Sequence, residues 1–183
     1  MLQDILVPFI AVGLAELGDK TQLAVLALSS KTRKYGELLF GIILAFAVAD
    51  GLAILLGEFI SNMFSFQLIN IISGIIFIVF GVMMLLKRDE KDEEHELGNV
   101  FVSSFSLILI SEMGDKTQIS AALFAVQFNP WLVFLGVISA MALLSIMAVF
   151  SGKPIVARMD KKMLNLTAAV LFIIIGLWTL FSA

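Results

Sequence analysis

The sequence predicts an all-α integral membrane protein with six transmembrane helices, arranged as two inverted three-helix repeats. Three observations lead to this fold class. The chain of 183 residues is 60% hydrophobic, whereas soluble domains are about 45–50% apolar. It contains six apolar segments that are each long enough to cross a bilayer. The heptapeptide Glu-x-Gly-Asp-Lys-Thr-Gln occurs twice, at residues 16–22 and 112–118, and we call these stretches the first and second copies of the motif.

The first three apolar segments lie in residues 1–86, which we predict to form the first repeat. The segment at about 5–28 carries the first copy of the motif near its middle. The segment at 38–60 has one acidic residue, Asp50, in its interior. The segment at 68–86 contains no charged residue, as expected for a helix surrounded by apolar neighbours.

A highly charged stretch, residues 87–98, separates the two repeats. It is too polar to enter lipid and too short to be a domain, so we interpret it as a solvated cytoplasmic linker. The second repeat, 99–183, again contains three apolar segments. The one at about 100–126 carries the second copy of the motif, the next runs from 131 to 150, and the last, at 163–181, is uncharged.

The basic residues predict the orientation of the chain. Of the twelve Lys and Arg residues, two belong to the motif copies, and the remaining ten lie in the loops after the first, third and fifth helices. These ten are Lys31, Arg33, Lys34, Lys87, Arg88, Lys91, Lys153, Arg158, Lys161 and Lys162. Because loops rich in Lys and Arg stay in the cytoplasm, both termini are expected on the non-cytoplasmic side. The N-terminus lacks a basic stretch, so we expect a retained first helix and not a cleaved signal peptide.

The duplication extends beyond the motif at a constant spacing in the chain. The matched positions are Gly41 with Gly136, Gly57 with Gly152, Phe77 with Phe172 and Gly81 with Gly176. Because each repeat has three helices, the second repeat must run through the membrane in the opposite direction. Inverted repeats place their substrate site near the midplane, between the two halves. The first and fourth helices are therefore expected to cross there and to bring the motif copies face to face.

Four carboxylates in the motif copies are the candidate metal ligands: Glu16, Asp19, Glu112 and Asp115. The two acids of each copy are three residues apart, which on a helix puts them on one face. The glycine between them permits either a close backbone approach or a local break in the helix. Ionised side chains at this depth are costly and indicate a role with a charged substrate.

The other polar groups of the motif predict the kind of ion. Side-chain oxygens that could support the carboxylates are those of Thr21, Gln22, Thr117 and Gln118. Oxygen ligands suit hard divalent cations such as Mn²⁺, Ca²⁺ and Mg²⁺. Zinc or copper would be expected to use His or Cys, but the chain has no cysteine, and its one histidine, His95, lies in the charged linker. Each motif copy carries a formal charge of minus one, so one divalent cation neutralises both.

The same residues favour exchange over passive leakage. Carboxylates crowded in a medium of low dielectric constant are expected to take up protons when the metal leaves. Lys20 and Lys116 would either hold the carboxylates in place or replace the metal as tethered cations. Moving a divalent cation outward against a potential of about 100 mV costs about 4.6 kcal/mol. Export therefore requires coupling, for which inward proton movement is the simplest source.

Asp50 is the one deeply placed acid outside the motif copies. The matching position in the second repeat is Ser145, so the internal symmetry is broken there. Asp50 could accept a proton or act as an asymmetric ligand. It could equally serve only as an ion-pair partner of Lys20 or Lys116.

The motif and its duplication resemble those of the Gdt family of cation–proton exchangers. That family's signature, Glu-x-Gly-Asp-(Lys/Arg)-(Thr/Ser), stands here at residues 16–21 and 112–117 without departure. The resemblance implies that Glu16, Asp19, Glu112 and Asp115 bind the transported ion, which would be Mn²⁺, Ca²⁺ or both. The compact size is similar to that of bacterial members and favours Mn²⁺ export at the inner membrane.

The sequence thus predicts a secondary transporter that exports Mn²⁺ in exchange for protons. We expect no enzymatic activity, no resident cofactor and no nucleic-acid partner. One alternative is a Ca²⁺/H⁺ exchanger of the same fold, because Mn²⁺ and Ca²⁺ share ligand types. An alternative of another class is a non-transporting membrane subunit whose intramembrane charges dock a partner helix. The sequence leaves open the proton stoichiometry and the oligomeric state.

Overall fold

Eight α-helices make up the described part of the chain in a computed structural model, which covers residues 1–86, 99–156 and 161–181. Their bounds are α1 (Leu2–Glu16), α2 (Lys20–Lys31), α3 (Tyr35–Ser61), α4 (Phe66–Leu86), α5 (Val100–Glu112), α6 (Lys116–Gln127), α7 (Pro130–Val156) and α8 (Lys161–Phe181). No strand occurs in these ranges, so the all-α class is confirmed. The predicted linker at 87–98 lies outside the described residues, and the division into two repeats at that point stays a prediction.

The number of helices differs from the predicted six because each segment that carries the motif divides in two. The first breaks between α1 and α2, and the second breaks between α5 and α6. At each break a glycine has a positive φ, +81° at Gly18 and +80° at Gly114. Glycine adopts this left-handed conformation at little steric cost, and one such residue ends a right-handed helix. Each of the segments at 5–28 and 100–126 therefore forms two helices instead of one, and of the two alternatives left open for the glycine the local break is the one present.

The helices α3 and α7 contain the two described stretches that are long and apolar enough to cross a membrane, Tyr35–Ile60 and Pro130–Phe150. Shorter apolar stretches are Gln67–Met83, Val100–Glu112 and Leu166–Phe181. The glycine breaks shorten the helices that carry the motif. The six membrane spans therefore stay a prediction.

The outer surface carries many large apolar side chains. On α3, Leu52, Leu55, Leu56 and Phe59 are each about three-fifths exposed, and Trp178 on α8 is 76% exposed. Soluble monomers seldom expose large contiguous apolar patches, whereas a membrane interaction explains them. This surface agrees with the predicted membrane protein.

In each half, the two helices that carry the motif pack on the long apolar helix of the other half. The helix α1 packs on α7 as α5 packs on α3, and α2 packs on α7 as α6 packs on α3. The third helices of the two halves, α4 and α8, pack on each other, as do α3 and α7. This reciprocity gives the breaks of α1–α2 and α5–α6 equivalent places beside the same central pair, α3 and α7.

Two of the glycines matched in the sequence lie at equivalent crossings of these helices. A Cβ atom added to Gly136 on α7 would lie 2.5 Å from the carbonyl oxygen of Ile5 on α1. A Cβ atom added to Gly41 on α3 would lie 2.8 Å from the carbonyl oxygen of Phe101 on α5. Only glycine allows backbones to approach so closely, which explains why the sequence repeats it at both positions.

The helices α4 and α8 meet at a close approach of two glycines. A Cβ atom at Gly176 would lie 2.7 Å from the carbonyl oxygen of Gly74, and one at Gly74 would lie 2.8 Å from that of Gly176. Beside them, the buried rings of Phe77 and Phe172 stack with their centroids 5.8 Å apart. These two phenylalanines occupy matching positions of the two halves, so the internal symmetry axis passes between them.

We predict that Gly176→Ala lowers the stability of the protein by about 1–3 kcal/mol, the usual cost of overpacking. The new methyl group would meet backbone, which cannot rotate away as a side chain can. The matched control is Gly36→Ala, because a Cβ atom there has no neighbour within 4 Å and alanine favours a helix. The midpoint of thermal unfolding should fall for Gly176→Ala and stay or rise for Gly36→Ala. Equal midpoints would show that the α4–α8 contact is not close.

Candidate cation site

The four predicted carboxylate ligands lie where the two broken segments change from one helix to the next. Glu16 and Glu112 are the last residues of α1 and α5, and both are buried, at 2% and 0% exposed. Asp19 and Asp115 follow the glycine turn, where their backbone N–H groups donate to the carbonyl oxygens of Glu16 and Glu112 at 3.1 and 3.0 Å. Each Glu–Asp pair therefore spans a turn, and the predicted placement on one face of a continuous helix is wrong.

The motif glutamines hold these turns closed. The N–H group of Gly18 donates to Oε1 of Gln22 at 2.6 Å, and the N–H group of Gly114 donates to Oε1 of Gln118 at 2.8 Å. The break of a helix leaves backbone donors without partners, and the glutamine four residues later satisfies one of them in each copy. Gln22 and Gln118 are thus placed to shape the site, while an amide oxygen keeps a second lone pair for another partner.

The two copies of the motif meet through a reciprocal pair of hydrogen bonds. Thr21 Oγ1 donates to Glu112 Oε1 at 2.5 Å, and Thr117 Oγ1 donates to Glu16 Oε1 at 2.5 Å. Each threonine therefore serves the glutamate of the other copy. These contacts bring the motif copies face to face, as the sequence predicts, and they set the two buried glutamates on either side of the internal symmetry axis.

The lysine of the second copy reaches the acids of the first. Lys116 forms an ion pair with Asp19, and its Nζ also lies 3.4 Å from Glu16 Oε1. One ammonium group therefore stands between two of the four predicted ligands. The side chain of Lys20, the matching residue of the first copy, lies outside the described part of the structure.

Asp50 lies in the interior of α3, beside the second copy of the motif. It is 0% exposed, and neither of its carboxylate oxygens has a hydrogen-bond partner among the described residues. The preceding residue, Ala49, accepts a hydrogen bond from Nε2 of Gln118 at 3.2 Å. Since Lys116 pairs with Glu16 and Asp19, the predicted alternative in which Lys116 pairs with Asp50 is wrong. A pairing with Lys20 stays a prediction.

A small cavity opens beside the first copy of the motif. It is lined by Glu16, Thr21 and Gln22 of that copy and by residues of α2, α3 and α7. The lining residues outside the motif are Val25, Phe46, Met141, Leu144 and Ser145. Sequence reasoning named Ser145 only as the counterpart of Asp50 and missed the four apolar residues. The signal was that Phe46 and Met141 precede Asp50 and Ser145 by one helical turn and match each other at the spacing of the repeat.

In the described structure, hydroxyl and ammonium groups of the protein itself contact the carboxylates of the motif. Oε1 of Glu16 and of Glu112 each accepts a threonine hydrogen bond, and Oε2 of each is buried without a hydrogen-bond partner among the described residues. Within the same part of the chain, no three Asp, Glu or His side chains gather closely enough to hold a metal ion. The role of Glu16, Asp19, Glu112 and Asp115 as ligands therefore stays a prediction.

Comparisons with known proteins give a consistent result along the whole chain. A family model described as "Divalent cation/proton antiporter GDT1" matches residues 4–92 and 100–183. A Vibrio cholerae protein named "Putative manganese exporter" is 32% identical over 93% of this chain and 86% of its own length. Proteins named GDT1-like from Oryza sativa subsp. japonica and Synechocystis are each 26% identical, over 92% and 90% of this chain and 90% and 92% of their own lengths. No solved structure matches the chain.

Proposed function

The chain belongs to the GDT1 family of divalent cation/proton antiporters, and within that family we propose that it exports Mn²⁺ from the cytoplasm in exchange for protons. The family is described as one of cation antiporters, and we propose that the chain acts as a transporter and not as an enzyme. Manganese as the substrate is supported by the similarity to the Vibrio cholerae protein, which carries that ion in its name. The oxygen ligands of the motif are also those that Mn²⁺ accepts.

The observation that carries the proposal is the meeting of Glu16 and Glu112 across the reciprocal threonine hydrogen bonds. Each half of the chain supplies one buried glutamate, and the aspartate of the same copy lies one turn away. We propose that these four acids bind the cation, with the threonine and glutamine oxygens in support. A divalent ion there would compensate the charge of carboxylates that are costly to bury unpaired.

The exchange with protons follows from the same energetic cost of burying carboxylates without a compensating positive charge. When the cation leaves, the carboxylates need another positive charge, and protons supply it without any further ligand. Asp50 is buried within electrostatic range of Glu16 and Glu112. We propose that it supports proton coupling or acts as an additional ligand on one side of the site, since its counterpart, Ser145, carries no charge.

For the architecture, we propose six membrane spans in two inverted repeats, of which the first and fourth are broken helices. The reciprocal packing of the two halves supports this arrangement. Broken helices at the midplane are a known way to build ion sites in transporters. The basic loops of the sequence favour termini on the non-cytoplasmic side, and we propose the bacterial inner membrane as the location.

The test is coupled flux in liposomes that contain the purified protein, with indicators for Mn²⁺ and for pH enclosed. We expect an imposed pH gradient to drive Mn²⁺ movement and an imposed Mn²⁺ gradient to move protons the opposite way. Protein-free liposomes and a protonophore serve as controls. Mn²⁺ flux that does not depend on the pH gradient would contradict the exchange mechanism.

The same liposomes separate the remaining alternatives. If Ca²⁺ is carried and excess Ca²⁺ suppresses Mn²⁺ flux, the protein is the Ca²⁺/H⁺ exchanger of the alternative prediction. If neither ion moves, the non-transporting subunit is favoured, although membership of an antiporter family argues for transport.

A further inference from the structure

The side chain of Lys116 crosses from the second copy of the motif to the acids of the first. Its ammonium group contacts the carboxylate of Asp19 and lies 3.4 Å from Glu16 Oε1. All three side chains are largely buried, at 15% exposed for Lys116, 10% for Asp19 and 2% for Glu16. The ammonium group thus occupies the space next to two acids that the proposed transport reaction assigns to the cation.

The backbone of Lys116 is fixed although its side chain is long. It is the first residue of α6, and its N–H group donates to Oδ1 of Asp115 at 2.8 Å. Lysine carries its charge at the end of a flexible stem of four carbons. The ammonium group can therefore withdraw from Glu16 and Asp19 while the turn of the second copy stays in place.

The ammonium group and a divalent cation at Glu16 and Asp19 would compete for the same carboxylate oxygens. Glu16 and Asp19 carry two negative charges when ionised. A divalent cation in contact with these two carboxylates would repel an ammonium group held at the same oxygens, so the ammonium group is expected to withdraw from them. When the cation is gone, removing the ammonium group as well would take a positive charge away from two largely buried acids, which is unfavourable.

We propose that Lys116 is a tethered counter-cation that occupies the carboxylates of Glu16 and Asp19 when the transported ion is absent and is displaced when the ion binds. This inference rests on the proposed function and adds a mechanism for ion release. The returning ammonium group competes with the bound ion for the same acids, so it lowers the affinity of the site and helps the ion leave. Lys116 is in this sense a positioning residue, since it acts on the ligands and not on the ion.

The first experiment measures Mn²⁺ binding to purified full-length protein in detergent by titration calorimetry. We expect Lys116→Met to bind Mn²⁺ about tenfold more tightly or better, since a hydrogen-bonded charge partner of the acids is lost. In liposomes the same variant should exchange Mn²⁺ more slowly, because release lacks its competitor. Lys116→Arg keeps the charge and should stay within about threefold of the unaltered protein in affinity. The matched control is Lys34→Met, an exposed lysine paired with Glu37, which should change neither quantity.

A second measurement needs no variant. Amine acetylation followed by mass spectrometry reports how accessible each lysine is in the unaltered protein. We expect saturating Mn²⁺ to raise the labelling of Lys116 about twofold or more, because a displaced ammonium group gains contact with solvent, and to leave Lys34 unchanged. Labelling of Lys116 that stays constant or falls would overturn the proposal.

The outcomes separate this inference from the proposed function. If the unaltered protein exchanges Mn²⁺ for protons but Lys116→Met binds Mn²⁺ equally or more weakly, Lys116 does not compete with the ion and the inference fails alone. If the unaltered protein neither binds nor moves Mn²⁺, the proposed function fails and this inference with it. Tighter binding combined with slower exchange supports both.

Discussion

Glu112→Gln is expected to abolish Mn²⁺ flux and the coupled proton flux together, with a loss of about a hundredfold or more. Changes to residues that merely orient metal ligands already cost about 10–100-fold in affinity or activity, and Glu112 is proposed to bind the ion itself. Glutamine has nearly the same shape and its carbonyl oxygen can still accept the hydrogen bond from Thr21. The variant therefore removes the charge and the proton-binding group while it keeps the packing.

Liposome flux with both indicators is the measurement for this variant, and Glu37→Gln is its control. The control makes the same substitution at an exposed position of α3, where Glu37 pairs only with Lys34 among the described residues. It should transport at the normal rate. We expect Glu16→Gln, at the matching position of the first copy, to lose flux as Glu112→Gln does. Retention of half or more of the normal rate by Glu112→Gln would exclude this residue as a ligand.

Gly114→Ala is expected to destabilise the protein by about 1–2 kcal/mol, the cost of a left-handed conformation for an L-residue, and to reduce transport. Gly114 has φ +80°, and a Cβ atom there meets nothing within 4 Å. The effect is thus one of backbone strain and not of steric contact. The strain is relieved only if the turn changes shape, which would move Glu112 and Asp115 relative to each other.

Two further variants isolate the backbone effect at Gly114. Asparagine tolerates the left-handed region better than alanine, so Gly114→Asn should lie between Gly114→Ala and the unaltered protein in both unfolding midpoint and flux. Gly13→Ala is the control, because Gly13 lies inside α1 and a Cβ atom there makes an ordinary contact at 3.6 Å with Ala140. If Gly114→Ala unfolded and transported like Gly13→Ala, the positive φ would have no part in the site.

The duplication in the sequence was sufficient to predict which parts of the molecule meet. The matched glycines mark equivalent helix crossings, since a residue without a side chain is needed wherever two backbones touch. The repeated motif marks the place where the two halves face each other. The positions of the matched glycines and of the repeated motif depend only on residue type and spacing, and both can be read directly from the sequence.

The break in each motif helix could be predicted only as one of two alternatives. A glycine inside a helix costs about 1 kcal/mol relative to alanine, and a glycine in a left-handed turn costs little, so local preference hardly separates them. The structure selects the break because Gln22 and Gln118 satisfy the backbone donors that it exposes. The sequence shows that a glutamine follows each of these glycines by four residues, but it does not show which group the glutamine side chain contacts.

By itself, the sequence determined the helical class, the two copies of the motif and the acids that could bind a hard cation. Tertiary structure alone decided the partners of those acids, because the two copies are chemically almost identical. Thr21 could equally have bonded Glu16 of its own copy, but the packing of α2 against α5 directs it to Glu112. In the same way Lys116 pairs with the first copy and not with Asp50. A choice between equal partners depends on distances across the fold, and residues that are far apart in the chain acquire those distances only when the helices pack.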